Sequence, residues 1–125
     1  MAAVPIGMPN DVLIVEDDAI IALDFEDTIR GFGVKAVRSA GNVTRALQLI
    51  DDRAPDFALL DVGLASEKSF AVAERLQAMN IPFVFISGYG SKIVLPPALR
   101  DTPMLPKPCT TDVLEAALRQ RWHSG

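Results

Sequence analysis

The chain is poor in several features that would point to other classes of protein. Cys109 is the single cysteine, so no internal disulfide can form, which fits a reducing compartment. The one histidine, His123, lies in a short tail and is given no chemical role, and the neighbouring Trp122 is expected to pack back onto the domain. No apolar run is longer than a strand, so none could span a bilayer. The start, Met1 to Pro9, has neither a basic stretch nor the apolar run of a secretory signal. Basic charge is not in excess either: the formal net charge is −4, which argues against non-specific nucleic-acid binding. Repeats and low-complexity tracts are absent. The expectation is a cytoplasmic, soluble domain with no nucleic-acid or membrane partner.

The chain has 125 residues, half of them hydrophobic, which suits one domain with a real core. Residues 1–10, with Pro5, Gly7 and Pro9, read as a flexible lead-in, residues 11–121 as the domain and 122–125 as a tail. Val12-Leu13-Ile14-Val15 is a short apolar run that stops at Glu16-Asp17-Asp18, the pattern of a strand buried on both faces. Asp18 is placed to cap a helix through Arg30, with Ile21, Phe25, Ile29 and Phe32 as its inner stripe and Gly31 and Gly33 at its end. A weaker strand covers 34–38. Gly41-Asn42 then turns the chain into a helix marked by Val43, Ala46, Leu47 and Ile50.

Pro55 precedes a third apolar run, Phe57 to Leu60, which ends at Asp61. A helix is expected over 67–79, with Val72, Leu76 and Met79 inward; the pattern leaves Phe70 unplaced. Phe83 to Ile86 is a fourth strand ending at Ser87-Gly88-Tyr89-Gly90. Residues 91–99 could form a helix that Pro96 and Pro97 shorten. Met104-Leu105 is a short fifth strand before Pro106-Lys107-Pro108. Thr110 or Thr111 caps a last helix over 112–121, with Val113, Leu114, Ala117 and Leu118 inside. Strands alternating with helices through five rounds predict an α/β fold with a parallel sheet covered on both faces. Ligands in such sheets bind beyond the carboxyl ends of the strands.

Those ends carry chemistry. Glu16 and Asp17 follow the first strand, Asp61 closes the third, Ser87 the fourth, and Lys107 follows the fifth. Crowded carboxylates repel one another, and a hard divalent cation such as Mg²⁺ relieves the repulsion. Lys107 and Ser87 can then hold phosphoryl oxygens, one by charge and one by hydrogen bond.

The segments Val12–Asp18, Leu59–Gly63, Phe85–Gly90 and Lys107–Pro108 together resemble the four signature stretches of the response-regulator receiver family. The resemblance runs from Asp11 to about Arg121. It implies a doubly wound, flavodoxin-like five-stranded sheet of order 2-1-3-4-5, a topology for which a family member is the standard example. It implies that Asp61 is the phosphoacceptor. Asp17 matches the direct Mg²⁺ ligand, Glu16 an acid acting through water, and the backbone carbonyl of Gly63 a further ligand. Ser87 stands where the family has Thr or Ser, Lys107 matches the phosphate-binding lysine, and the bond before Pro108 is expected to be cis. The implied function is that of a single-domain regulator. It would take a phosphoryl group from a sensor histidine kinase and signal through a downstream protein, or drain the kinase as a phosphate sink. It would not be an enzyme acting on an external substrate.

Two positions depart from the common pattern. Met104 stands where many receivers carry an aromatic switch residue, and Cys109 replaces the usual aromatic after Lys-Pro. Phe85-Ile86-Ser87-Gly88-Tyr89-Gly90 resembles the FATGUY subfamily, which lacks that switch and works with kinases of the HWE and related types in stress signalling. Gly88 and Gly90 would let that loop rearrange around a phosphate. Two other classes compete: a degenerate receiver that only binds partners, against which the intact Asp17, Asp61 and Lys107 argue, and a metal-dependent phosphohydrolase, whose Asp-x-Asp pattern is broken by Glu16.

Overall fold

The structure, a computed structural model, describes residues 8–64, 69–88 and 95–124. Five strands, β1 (Asp11–Val15), β2 (Ala36–Ala40), β3 (Phe57–Asp61), β4 (Phe83–Ser87) and β5 (Met104–Pro106), form one parallel sheet in the order β2-β1-β3-β4-β5. The α-helices among the described residues are α1 (Ala19–Gly31), α2 (Val43–Asp52), α3 (Phe70–Ala78) and α4 (Thr111–Ser124).

Alternation along the strands splits the core into two layers. Leu13 and Val15 of β1, Ala58 and Leu60 of β3, and Phe83 and Phe85 of β4 face one side, where Ala46 and Ile50 of α2 and Val72 and Leu76 of α3 cover them. Val12, Ile14, Phe57, Leu59, Val84 and Ile86 face the other, under Phe25 and Ile29 of α1 and Leu114 and Leu118 of α4. β1 and β3 are buried along their whole length, which is why both are almost uninterrupted apolar runs. Truncating a fully buried residue of this kind, such as Ile14 or Leu60, to Ala costs about 2–5 kcal/mol.

Local signals set the helix ends. Asp18 Oδ1 accepts the N–H groups of Ile20 (2.9 Å) and Ile21 (3.2 Å), and Asn42 Oδ1 accepts that of Arg45 (2.8 Å), capping α1 and α2. Thr110 Oγ1 accepts the N–H of Val113 at 3.3 Å, so Thr110, not Thr111, caps α4. Gly33 takes a positive φ of 98° just beyond α1, a conformation that glycine adopts without strain. Lys107-Pro108 is cis, as the family resemblance implied.

Several expectations need correction. β2 lies at Ala36–Ala40, two residues later than its apolar pattern indicated, because pairing sets the register: Asp11 faces Ala36 and Val15 faces Ala40. Met79 terminates α3 and is 39% exposed, and Val113 of α4 is 41% exposed, so neither joins the core. Phe70 is placed edge-on against Phe85, with ring centroids 6.0 Å apart. Of the helix expected over 91–99, the described residues from 95 onward hold a 3₁₀ turn, Pro97–Leu99. The expectations for Tyr89, Gly90, residues 65–68 and 91–94, and the side chains of Trp122 and His123 fall outside the described residues.

Candidate functional site

The parallel register brings the carboxyl ends of β1, β3, β4 and β5 to one rim. Asp61 is the last residue of β3 and is 6% exposed. Glu16 follows β1 directly, and its N–H donates to Ala40 O of β2 at 3.0 Å. Lys107 follows β5, and its N–H donates to Ser87 O at 2.8 Å. Ser87 therefore closes β4 with its carbonyl tied to the lysine backbone and its side chain half-buried.

The side chains converge. Lys107 Nζ donates to Asp61 Oδ2 at 2.7 Å and lies 2.6 Å from Glu16 Oε1. The second Asp61 oxygen accepts the N–H of Gly63 at 3.0 Å, and Glu16 Oε2 accepts the N–H of Asp18 at 3.1 Å. Glu16, Asp17 and Asp61 each present a carboxylate oxygen within 4.8 Å of the others. Glu16 and Asp61 are buried and Asp17 is exposed. The structure thus brings Glu16, Asp17, Asp61 and Lys107 together, with Gly63 and Ser87 at the ends of the neighbouring segments.

Among the described residues, three acids and one ammonium gather at this rim. Burial, reinforced by the adjacent Asp61, pushes the Glu16 carboxyl up to about 7 against the opposing pull of Lys107 and the Asp18 N–H. Burial works to lower the lysine as well, but its contacts with Asp61 and Glu16 outweigh that and hold it above its ordinary value. Glu16 Oε1 is buried and lacks a hydrogen bond of good geometry, so the 2.6 Å approach of Nζ is an ion-pair contact without directionality. A cluster of hard oxygens with surplus negative charge and one water-exposed member fits a small divalent cation. Cys109, two residues beyond Lys107, packs half-buried beneath α4, with its thiol pushed up by burial; it behaves as core filler.

Sequence reasoning missed two features. One is the direct contact between Glu16 and Lys107, for which a separation of ninety-one positions gives no signal. The other is the apolar outer face of α1, where Ile20 is 81% and Leu23 57% exposed.

A doubly wound parallel sheet with acids, a hydroxyl and a lysine on its carboxyl rim is the architecture of a receiver-type signalling domain. The sequence pattern of the response regulator receiver domain matches residues 12–119, and the chain belongs to that family. It is similar to the phyllosphere-induced regulator PhyR of Methylorubrum extorquens, 30% identical over 90 residues, covering 70% of this chain and 34% of PhyR. It also resembles the polar-differentiation response regulator DivK of Brucella anthropi, 29% identical over 89 residues, covering 68% of this chain and 72% of DivK. The chain therefore spans about a third of PhyR, but most of DivK. Among solved structures, SdrG from Sphingomonas melonis Fr1 is 40% identical with a TM-score of 0.76, covering 92% of this chain and 96% of SdrG. The receiver domain of Erythrobacter litoralis PhyR, 24% identical with a TM-score of 0.80 and covering 94% of this chain and 92% of its own, supports the fold. No helix among the described residues is long and apolar enough to cross a membrane.

Proposed function

We propose that this receiver accepts a phosphoryl group onto Asp61 from the phosphohistidine of a sensor histidine kinase in the cytoplasm. It then signals by protein contact or drains the kinase. The carrying observation is the Lys107 ammonium 2.7 Å from Asp61 Oδ2 with Glu16 and Asp17 alongside. A carboxylate oxygen of Asp61 attacks phosphorus, the N–P bond breaks, and the imidazole nitrogen leaves with the electron pair. Lys107 neutralises charge on the transferring oxygens, and the Gly63 N–H orients the nucleophilic carboxylate. The Ser87 hydroxyl, at the end of β4, is the hydrogen-bond donor for a phosphoryl oxygen. Asp17, Asp61 and the carbonyl of Gly63, with the charge of Glu16 behind them, would hold Mg²⁺. When bound, it would offset negative charge on the phosphoryl group and the carboxylates.

The kinase is expected to dock on α1, where exposed Ile20 and Leu23 sit among Asp17, Asp24 and Asp27 beside Asp61. Similarity to PhyR, a stress response regulator, supports a role in stress signalling, and the likeness of Phe85–Gly90 to the FATGUY stretch supports an HWE-type or related kinase. Incubation with acetyl phosphate and Mg²⁺ should yield a phosphorylated species, resolved on a phosphate-affinity gel. Asp61→Asn and omission of metal should each abolish it. Labelling that survives Asp61→Asn would refute the assignment.

A further inference from the structure

We propose that Ser69 is a two-state cap at the head of α3, open while Asp61 is unmodified and closed once Asp61 carries a phosphoryl group; this rests on the proposed Asp61 reading and adds a residue outside that site. α1, α2 and α3 each follow a residue of a type that caps helices. Asp18 before α1 and Asn42 before α2 have extended backbones, with ψ of 113° and 172°, and their side chains accept helix N–H groups. Ser69 before α3 has a ψ of 15°, and its side chain makes no capping bond. The helix nonetheless starts there, since Ser69 O accepts the Ala73 N–H at 3.1 Å. The residue type suits a cap, but its backbone is not in the extended conformation that a side-chain cap uses.

Ser69 is fully buried, and its Oγ has no hydrogen-bond partner. A buried hydroxyl left unpaired is costly, so a nearby conformation that pairs it is a state into which the chain is readily driven. Turning ψ of Ser69 to the extended range of the other two caps lets Oγ accept the N–H of Ala71 or Val72. The same rotation changes the direction in which the chain enters α3. Asp61 supplies the drive. Its Oδ1 accepts the Gly63 N–H at 3.0 Å and its Oδ2 the Lys107 ammonium at 2.7 Å. A phosphoryl group bonds to one of these oxygens and adds three strong acceptors, so both donors are drawn to new positions. Gly63 stands only six residues before Ser69, and its displacement alters the path into the helix. α3 carries the change onward: Phe70 packs edge-on against Phe85 of β4, and Gln77 Nε2 donates to Ala98 O at 2.9 Å in the 3₁₀ turn before β5. With Met104 in place of an aromatic switch on β5, the cap supplies the two-state element that links Asp61 to the segment between β4 and β5.

The test uses the full chain, isotope-labelled, with Mg²⁺ and with beryllofluoride as the probe that stands in for a phosphoryl group on an aspartate. The ¹³Cα and ¹³Cβ shifts of Ser69 report its ψ. They should be helix-like in the free chain and move to the pattern of an extended N-cap when beryllofluoride binds. Ser69→Ala gives the second readout. It should leave the melting temperature of the free chain unchanged or raise it, because it removes an unpaired buried hydroxyl and no formed cap. It should also weaken beryllofluoride binding by about fivefold, the size of a lost N-cap. Ser69 shifts that stay helix-like while the Gly63 amide reports bound beryllofluoride overturn the inference. So does a free chain that already shows the N-cap pattern, or a Ser69→Ala free chain that melts several degrees lower, as loss of a formed cap would require. Failure of the phosphoacceptor reading appears separately, as a wild-type Gly63 amide that does not respond to beryllofluoride; the inference then falls with it.

Discussion

The two rims of the sheet hold similar residues in opposite states. At the amino-terminal rim, Asp11 is 7% exposed and is gripped by two guanidinium groups. Arg38 Nε and its terminal nitrogen each lie 3.1 Å from one Asp11 oxygen, and Arg53 Nε lies 2.7 Å from Oδ2. Arg38 also donates to the carbonyls of Leu49 and Arg53, both at 2.8 Å, and Asp56 accepts the N–H groups of Asn10 (3.2 Å) and Asp11 (3.1 Å). Asp11 meets both bases there, and Asp56 holds two backbone N–H groups. At the carboxyl-terminal rim, Lys107 is the base that the described residues bring against Glu16 and Asp61, with Asp17 alongside, and one buried Glu16 oxygen lacks a well-directed partner. The first arrangement locks β1, β2 and the end of α2 together. The second gathers acids closely enough that a divalent cation would offset their repulsion. Among the described residues, the first rim is paired by charge and the second is richer in acids.

That contrast can be broken most sharply at Lys107. Lys107→Ala should slow acetyl phosphate labelling by about a hundredfold, the usual cost of losing one charge-stabilising donor, while leaving a folded domain by circular dichroism. At the other rim, Asp11→Ala should leave labelling per folded molecule unchanged but destabilise the fold. A loss of about 2–3 kcal/mol in urea unfolding is expected, at the low end for a broken buried pair because Arg53 is 59% exposed and can turn to water. Equal effects of both variants on labelling would erase the distinction between the rims.

A smaller effect follows from Glu16. Its carboxyl is held near 7 in the folded protein against 4.5 in the free residue, so the folded state keeps the proton more firmly. With a chelator present, that contribution is complete below about pH 4.5 and is lost as pH rises through 7, so stability falls across this window. The change is on the order of 1 kcal/mol once its coupling to Lys107 and solvent screening are discounted. Glu16→Gln should flatten the pH dependence of the melting temperature between pH 4.5 and 7; an unchanged slope would remove Glu16 as its source. The smallest effect on stability belongs to Ile20→Ser on the exposed face of α1. It should shift stability by less than about 0.5 kcal/mol and spare acetyl phosphate labelling, yet slow transfer from the cognate kinase. Equal transfer rates for wild type and variant would remove α1 from the docking surface.

Much of this was legible in the chain itself. Val12 to Val15 and Phe57 to Leu60 are apolar without alternation, and only strands covered on both faces need that pattern. Asp18 and Asn42 cap their helices through contacts two or three residues away, so the signal is local. Where pairing or packing outweighed pattern, reading the sequence fell short. β2 took its register from β1, Phe70 found Phe85 across the core, and Met79 and Val113 ended up at the surface although they share a helical stripe with buried neighbours.

By itself, the sequence determined the five strands, the helices that follow four of them, the caps, and the kinds of residue that follow each strand, because these depend on side-chain period and on neighbours a few positions away. Only the tertiary structure decided which of those residues touch. Glu16 meets Lys107, and Asp11 meets Arg38 and Arg53, across separations that no local pattern encodes. The reason is geometric: a parallel sheet gathers the strand ends at common rims, and the order of its strands then sets which charges fall within ångströms of one another.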